Sequence, residues 1–333
     1  MTSSISDKET YRELCETEGD RIPLFQQYWW METVCTGKHW DVAFARAKDG
    51  TVTGALPYLM GSKFGLRYIL QPQLTQYSGP LFFYDAAALQ CEGGKTSESN
   101  RLDFEKRVAD TLIRQMETLR PSAVIIHSSP RITNWLPFYW HGYSQTTRYT
   151  YRIPQIGDSE AVFAAFDRKE RQRKILKMLK KTSIRFDMRP EDFAALHHRY
   201  WASKGQRDLL QEEFIIRVCT AAIARGQGVI GSLHDNEGQL LAARFVAYDS
   251  HSAYTLLSAY VPELHRSGHS ETLMWLMIQH LGKYTQAFDF EGSMDEGIEY
   301  FYRSFGTVQT PFFELTKFRN RTLELLLNRR RQI

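Results

Sequence analysis

The sequence predicts an α/β protein, an α+β mixed sheet with helices, divided between two domains of similar size. Three observations carry that expectation. The chain runs to 333 residues, about twice the usual single domain. Period-two apolar runs and helical spacings alternate in both halves, the mark of strands and helices interleaved along one chain. Near the middle, PQIGDS (154–159) interrupts the pattern with Pro and Gly and offers Asp158 or Ser159 as a helix cap. The predicted domains are 1–155 and 156–333.

In the first half, Pro23 introduces a short aromatic helix over 25–34. Residues 41–47 and 51–59 flank Lys48-Asp49-Gly50, whose Asp-Gly step predicts a β-hairpin. Extended segments follow at 66–71 and 80–84, and the polar stretch 90–100 reads as a loop. Phe104, Val108, Leu112, Met116 and Leu119 then recur at helical spacing. A strand at 123–127, a helix over 132–139 and a strand over 143–153 complete the domain. Trp29, Trp30, Trp135, Phe138, Tyr139 and Trp140 are read as core or domain-interface residues rather than a stacking platform.

The second half opens with a basic helix over 168–181, a strand at 183–188 and helices over 190–203 and 211–224. Strands at 229–234, 240–248 and 251–260 form a meander, with Asp235-Asn236-Glu237-Gly238 as its first turn. A helix bearing Leu273, Leu276, Met277, His280 and Leu281 on one stripe precedes a strand at 287–290. Because a helix joins them, strands 251–260 and 287–290 are predicted to run parallel. Ser293-x-x-Glu296 reads as a capping box for a helix with Ile298, Phe301, Tyr302 and Phe305 inward and Gly306 at its end. A final strand covers 308–315.

Composition narrows the class. Hydrophobic residues make up 43% and charged residues 24%, close to the globular average. The start MTSSISDKET is polar, and no run approaches the roughly 18 apolar residues of a membrane span, so a soluble, cytoplasmic protein is expected. Cys15, Cys35, Cys91 and Cys219 lie far apart and read as reduced thiols, and no metal-ligand spacing occurs among the histidines. Net charge is only +4, yet residues 168–181 hold eight Lys/Arg against one Glu. That segment is either a solvated face or a seat for an anion: a phosphate-bearing cofactor, tRNA or an acidic membrane surface.

The element order of the second half resembles the GNAT acyltransferase fold. In that family the two parallel strands splay apart, and the gap holds the donor's pantetheine arm or its equivalent. The family's phosphate loop reads Gln/Arg-x-x-Gly-x-Gly/Ala. Here His265-Arg266-Ser267-Gly268-His269-Ser270 keeps the central glycine and departs at His265 and Ser270. FDFEGSMDEGIEYFYRSFG (288–306) resembles the C-terminal signature of the FemA/FemB/FemX peptidyltransferases, an Asp-x-x-Gly turn followed by Phe-Lys-x-x-Phe-Gly. Asp289, Gly292, Phe301, Phe305 and Gly306 match, while Tyr302 stands in the lysine position with Arg303 beside it. RQRKILKMLKK resembles the Arg-rich segment that opens the second domain of that group, and the likeness covers about 168–313. It implies two tandem GNAT-like domains, the first on the acceptor side and the second holding the donor. As donor the resemblance implies an acyl-CoA or other acyl thioester, or aminoacyl-tRNA, and as acceptor a small-molecule or cell-envelope precursor amine.

Such a reaction sets an amine against an activated carbonyl. A backbone N–H near Ser258–Tyr260 on the splayed strand is placed to polarise the carbonyl. Asp289 and Glu291 are two apart at a strand end, so both can face one side, with Glu291 the first candidate for the base and Asp289 the second. Asp289 serves equally well as a cap for the turn. Gly268 at a loop-to-helix junction allows close backbone approach to phosphate or marks a simple helix entry. Arg171, Arg173 and Lys174 are candidates for gripping phosphate. Gln73, Gln76 and Tyr77, in the loop 71–80, are candidates for an acceptor pocket. A different class remains open: a non-catalytic polyanion- or membrane-surface-binding protein that uses 168–181 on a degenerate GNAT fold.

Overall fold

The computed structural model describes residues 6–84, 97–264, 266–292, 294–320 and 324. The chain forms two compact units, Met1–Arg148 with Pro311–Ile333, and Tyr149–Thr310. This division falls ahead of the predicted 155/156 cut and returns the end of the chain to the first unit.

The first unit opens with α1 (Asp7–Glu18), which the sequence reading did not include. Ser6 caps it by accepting from the Glu9 N–H, and Tyr11 and Cys15, one turn apart, are its buried anchors. α2 (Tyr28–Val34) begins later than predicted because Leu24–Gln26 forms a separate 3-10 turn after Pro23. β1 (His39–Arg46), β2 (Val52–Lys63) and β3 (Leu66–Leu70) pair antiparallel in turn, and the short β4 (Leu81–Phe82) pairs with β2. α3 (Ser97–Thr118) lays Phe104, Val108, Leu112 and Met116 into the core and leads to β5 (Ala123–His127), which runs parallel to β3. α4 (Leu136–Trp140) buries Phe138 but leaves Tyr139 and Trp140 more than half exposed, so those two are not core residues. The predicted loop 90–100 falls largely outside the described residues, and its last four residues already belong to α3.

β6 (Ser144–Ile153) passes from the first unit into the second, which holds it from Tyr149 onward. Asp158 caps α5 (Ser159–Ala165), accepting from the Glu160 and Ala161 N–H groups. The predicted single basic helix is broken: Arg168–Gln172 forms a wide turn capped by Asp167, and only then does α6 (Arg173–Leu179) begin. β7 (Thr182–Arg185), α7 (Pro190–Ser203) and α8 (Glu212–Ala224) follow, then the meander β8 (Gly228–Asp235), β9 (Leu240–Tyr248) and β10 (Ser252–Tyr260). α9 (His269–Leu281) packs Leu273, Met274, Met277, Ile278 and Leu281 into a core with Leu233, Ala242, Val246, Ala253 and Phe288. β11 (Ala287–Asp289) lies parallel to β10, as the connecting helix requires. α10 (Glu296–Arg303) is capped by Asp295, which accepts from the Ile298 N–H. The predicted cap Ser293 lies outside the described residues. Phe305 is fully buried and Phe301 and Tyr302 pack on the core, but Ile298 is 43% exposed and does not point inward. β12 (Val308–Phe318), the last described strand along the chain, belongs to the first unit from Pro311 onward.

Both units repeat one plan. In the first the strand order is β1-β2-β3-β5-β12, and in the second β6-β11-β10-β9-β8-β7. Each has an antiparallel meander, a parallel neighbour reached through a helix, and an antiparallel strand beyond it. That last strand is exchanged: β12, late in the chain, lies along β5, while β6, from the first half, lies along β11.

Candidate active site

β10 and β11 pair at only three positions, Ser252 with Ala287, Ala253 with Phe288 and Tyr254 with Asp289. β11 then stops, whereas β10 continues to Tyr260 along β9. The register with β9 shifts between Thr255 and Leu257, so Leu256 has no residue opposite it. A bulge there sharpens the twist of β10 where it loses its parallel neighbour.

Asp289 and Glu291 sit at the end of β11 in different surroundings. Asp289 is 1% exposed. One of its oxygens accepts from Thr150 Oγ1 and from the Glu291 N–H, and the other faces Arg152 Nε at 3.4 Å. Glu291 lies beyond the strand with φ +62°, a left-handed conformation that is costly for a side chain with a Cβ. Strand alternation therefore stops before it, and the two carboxylates are not a simple two-apart pair on one face. Burial, with Asp289 close by, holds the Glu291 carboxyl well above the usual carboxylate range.

Polar groups from three elements meet near the diverging part of β10. Tyr260 Oη lies 2.8 Å from Ser270 Oγ at the start of α9. Arg244, in the middle of β9, donates from Nη1 to Thr255 Oγ1 at 2.6 Å and from Nη2 to Tyr260 Oη at 3.4 Å. On α10, burial pushes the Tyr302 phenol up to about 12; Arg244 pulls it down, and Glu291, Tyr260 and Asp289 add to the rise. One phenol thus feels the charges of β9 and of the β11 end together.

At the start of α9, Gly268 has φ +101° and its N–H donates to the Glu271 carboxylate at 3.0 Å. A Cβ at Gly268 would come within 2.8 Å of Met178, so α6 packs directly on this turn. Glu271 also faces Arg171 at 3.5 Å and Lys174 at 3.8 Å. Arg171 is 3% exposed, donates to the Phe301 carbonyl and lies over the Phe301 and Phe305 rings. Lys174 pairs with Glu170 at 2.9 Å. The described part of this loop is therefore held by an internal carboxylate, and as folded it offers no free backbone cradle at Gly268 for a donor phosphate.

Residues 164–300 match the model of the acetyltransferase (GNAT) domain. The backbone is similar to the crystal structure of FemX, with a TM-score of 0.65 at 14% identity over 87% of this chain and 91% of that one. The chain has the GNAT fold, of the FemX-like kind. The fold is also similar to L-PGS from Bacillus licheniformis, with a TM-score of 0.54 at 13% identity over 98% of this chain and 96% of that one. A third similar structure is the C-terminal domain of a putative lysylphosphatidylglycerol synthetase from Agrobacterium fabrum, with a TM-score of 0.55 at 9% identity over 93% and 92% of the two chains. No curated protein matches the sequence. The strand plan repeated in the first unit is the tandem GNAT arrangement that the sequence predicts.

Within this GNAT fold the sequence-predicted residues fall into groups. Asp289, Glu291, Tyr302, Tyr260 and Ser270 share one neighbourhood, with Ser258 on the same stretch of β10, in register with Arg244. Gly268, Arg171 and Lys174 form the internal cluster around Glu271; His269 is buried beside Arg266, while Arg173 is exposed. His265 lies outside the described residues. Gln73, Gln76 and Tyr77 belong to the first unit. There Gln73 is exposed and accepts from Lys38, Gln76 is half-buried, and Tyr77 is buried against Phe25 and Phe312. Sequence reasoning missed Arg244, Thr255, Glu271 and the Thr150 and Arg152 partners of Asp289. Only Arg244 carried a signal: a lone charge inside the apolar run LLAARFVAY. Among the described residues no group of three His, Cys, Asp or Glu is placed to hold a metal, and no helix is long and apolar enough to cross a membrane.

Proposed function

We propose that the protein is an N-acyltransferase that moves an acyl or aminoacyl group from an activated donor, a thioester or an aminoacyl-tRNA ester, to an amine. The observation that carries this reading is the parting of β10 from β11 after Tyr254 and Asp289, with Glu291 at the open end. In this reading the activated carbonyl lies along the free edge of β10, where backbone N–H groups near the bulge polarise it. Glu291 takes the proton from the acceptor's ammonium, and the freed amine attacks the carbonyl to form the amide. The donor's C–S or C–O bond breaks, and the donor leaves as its thiol or its terminal hydroxyl with that proton. A carboxyl held above its ordinary range suits a base that must both accept and release a proton. Asp289 acts through position: fixed by Thr150 and Arg152, it holds the Glu291 N–H and so the strained backbone that aims Glu291. Bringing amine and carbonyl together in one orientation accounts for as much as ~7–11 kcal/mol in favourable cases. The mechanism routes no phosphate contact through Gly268, because Glu271 holds that N–H.

A non-catalytic polyanion-binding role for 168–181 would do without Arg171, which is buried on Glu271 and the Phe301 carbonyl, and would have to draw Lys174 away from Glu170. The test is a panel of acyl-CoAs and aminoacyl-tRNAs with small amines, followed by mass spectrometry of the acceptor. Transfer by the native chain and its loss in Glu291→Gln supports the reading. Absence of transfer from every donor would overturn it.

A further inference from the structure

Arg244 is 5% exposed in the middle of β9, between Ala243 and Phe245. Its Nη atoms donate to the Thr255 and Tyr260 hydroxyls, its Nε has no partner, and among the described residues no carboxylate lies within ion-pair distance. The other deeply buried arginine of this unit is arranged differently. Arg171 has Glu271 at 3.5 Å, the Phe301 carbonyl at 3.3 Å and two aromatic rings beneath its guanidinium. A buried cation with no counter-charge is expensive, and hydroxyl acceptors alone do not offset its lost hydration. Arginine cannot escape by releasing its proton. A fold that keeps such a group leaves it short of an anion.

Its position says where that anion comes from. Both hydroxyls that Arg244 reaches, Thr255 and Tyr260, lie on the stretch of β10 beyond Tyr254 that has left β11. Tyr260 in turn meets Ser270 at the start of α9, so a helix N-terminus adds its positive end to the same corner. The Tyr302 phenol, which responds to Arg244, responds also to Glu291. Cation and carboxylate thus lie within electrostatic reach of one side chain.

We propose that Arg244 seats an oxyanion, carboxylate or phosphate, carried by the amine acceptor a few bonds from its nitrogen. The proposal rests on the transferase reading for the role of Glu291 and adds the acceptor class: amino acids or aminoalkyl phosphates in preference to neutral amines. The guanidinium has five N–H donors, and the two hydroxyl contacts leave Nε–H and further Nη hydrogens for a forked contact. With the anion docked there, the amine end of a short molecule is directed toward Glu291.

The test compares three probes at matched ionic strength: glycine, phosphoethanolamine and ethanolamine. Binding is read by calorimetry and thermal shift on the native chain, Arg244→Met, Arg244→Lys and Glu291→Gln. Glycine or phosphoethanolamine, whichever oxyanion fits, is expected to bind the native chain at least ten-fold more tightly than ethanolamine. Arg244→Met loses that difference, and without ligand it melts no lower than the native chain because an unpaired buried charge has gone. Arg244→Lys keeps the preference in weakened form. Glu291→Gln keeps it in full. Equal binding of all three probes to the native chain overturns the proposal, as does an undiminished preference in Arg244→Met. An Arg244-dependent preference in a protein that consumes no donor leaves the anion seat standing and removes the transferase reading.

Discussion

In the first unit β3 and β5 pair in parallel at Tyr68 with Ala123 and Ile69 with Val124, and the gap beyond them is stitched shut. The Gln71 side-chain oxygen accepts from the His127 N–H at 3.1 Å and from Ser78 Oγ at 2.7 Å, and Ser78 N–H donates to the His127 carbonyl at 2.7 Å. In the second unit the stretch of β10 past Tyr254, where pairing with β11 has ended, carries the Thr255 and Tyr260 hydroxyls, both bonded to the Arg244 guanidinium. One strand plan thus has two endings. An amide that mimics the missing backbone closes the first gap, while beside the second the hydroxyls are held by a buried guanidinium whose Nε has no partner among the described residues. In the proposed reading the fold alone does not decide which unit does chemistry; the residues that finish the gap do.

The comparison breaks most sharply at Glu291. Glu291→Gln is expected to lower turnover by about 10²–10⁴-fold. In the native chain the rate should climb with pH through a carboxyl lying above its ordinary range, and a pH–rate profile of both proteins checks this. The stability sign runs the other way: a carboxyl whose folded pKa is raised loses stability as pH rises from its unfolded value through its folded one. The variant should therefore melt higher than the native chain at pH values above the usual carboxylate range. Next in size is Asp289→Asn, which leaves Arg152 without its charge partner and should cost about 3 kcal/mol in urea titrations. In the closed gap, Gln71→Ala strips the His127 N–H of its acceptor and should cost about 1–3 kcal/mol with no change in transfer rate. A rate loss there would show that the first gap is not merely structural. The smallest change is Gly268→Ala, at about 1 kcal/mol or somewhat more, from a side chain forced into a left-handed turn against Met178. Unchanged melting would sink that account.

Much of the second unit was legible because its signals are local. The meander β8–β10, the helix 190–203 and the parallel pairing of β10 with β11 follow from period, turn residues and connection length. α1 escaped because only Tyr11 and Cys15 face inward from an otherwise charged helix. The basic helix was read as continuous because charge spacing cannot register the Asp167 cap that opens a wide turn within it. For the candidate site, the placing of Asp289 and Glu291 at a strand end was legible from the motif, but their different surroundings were not. Thr150 and Arg152 reach Asp289 from 139 and 137 residues away in the chain, counting 289 − 150 and 289 − 152. Glu271 likewise cancels Arg171 across 100 residues. Such pairings are properties of the folded sheet.

The traded edge strands have a consequence for biogenesis. β12 docks on β5 only after residues up to 318 have emerged, so the first unit's sheet stays unfinished while residues 149–310 are made. Meanwhile β6, made early, is already available as the border on which β11 assembles. Cutting the chain between β6 and α5 would leave each piece without the strand that its own sheet takes from the other.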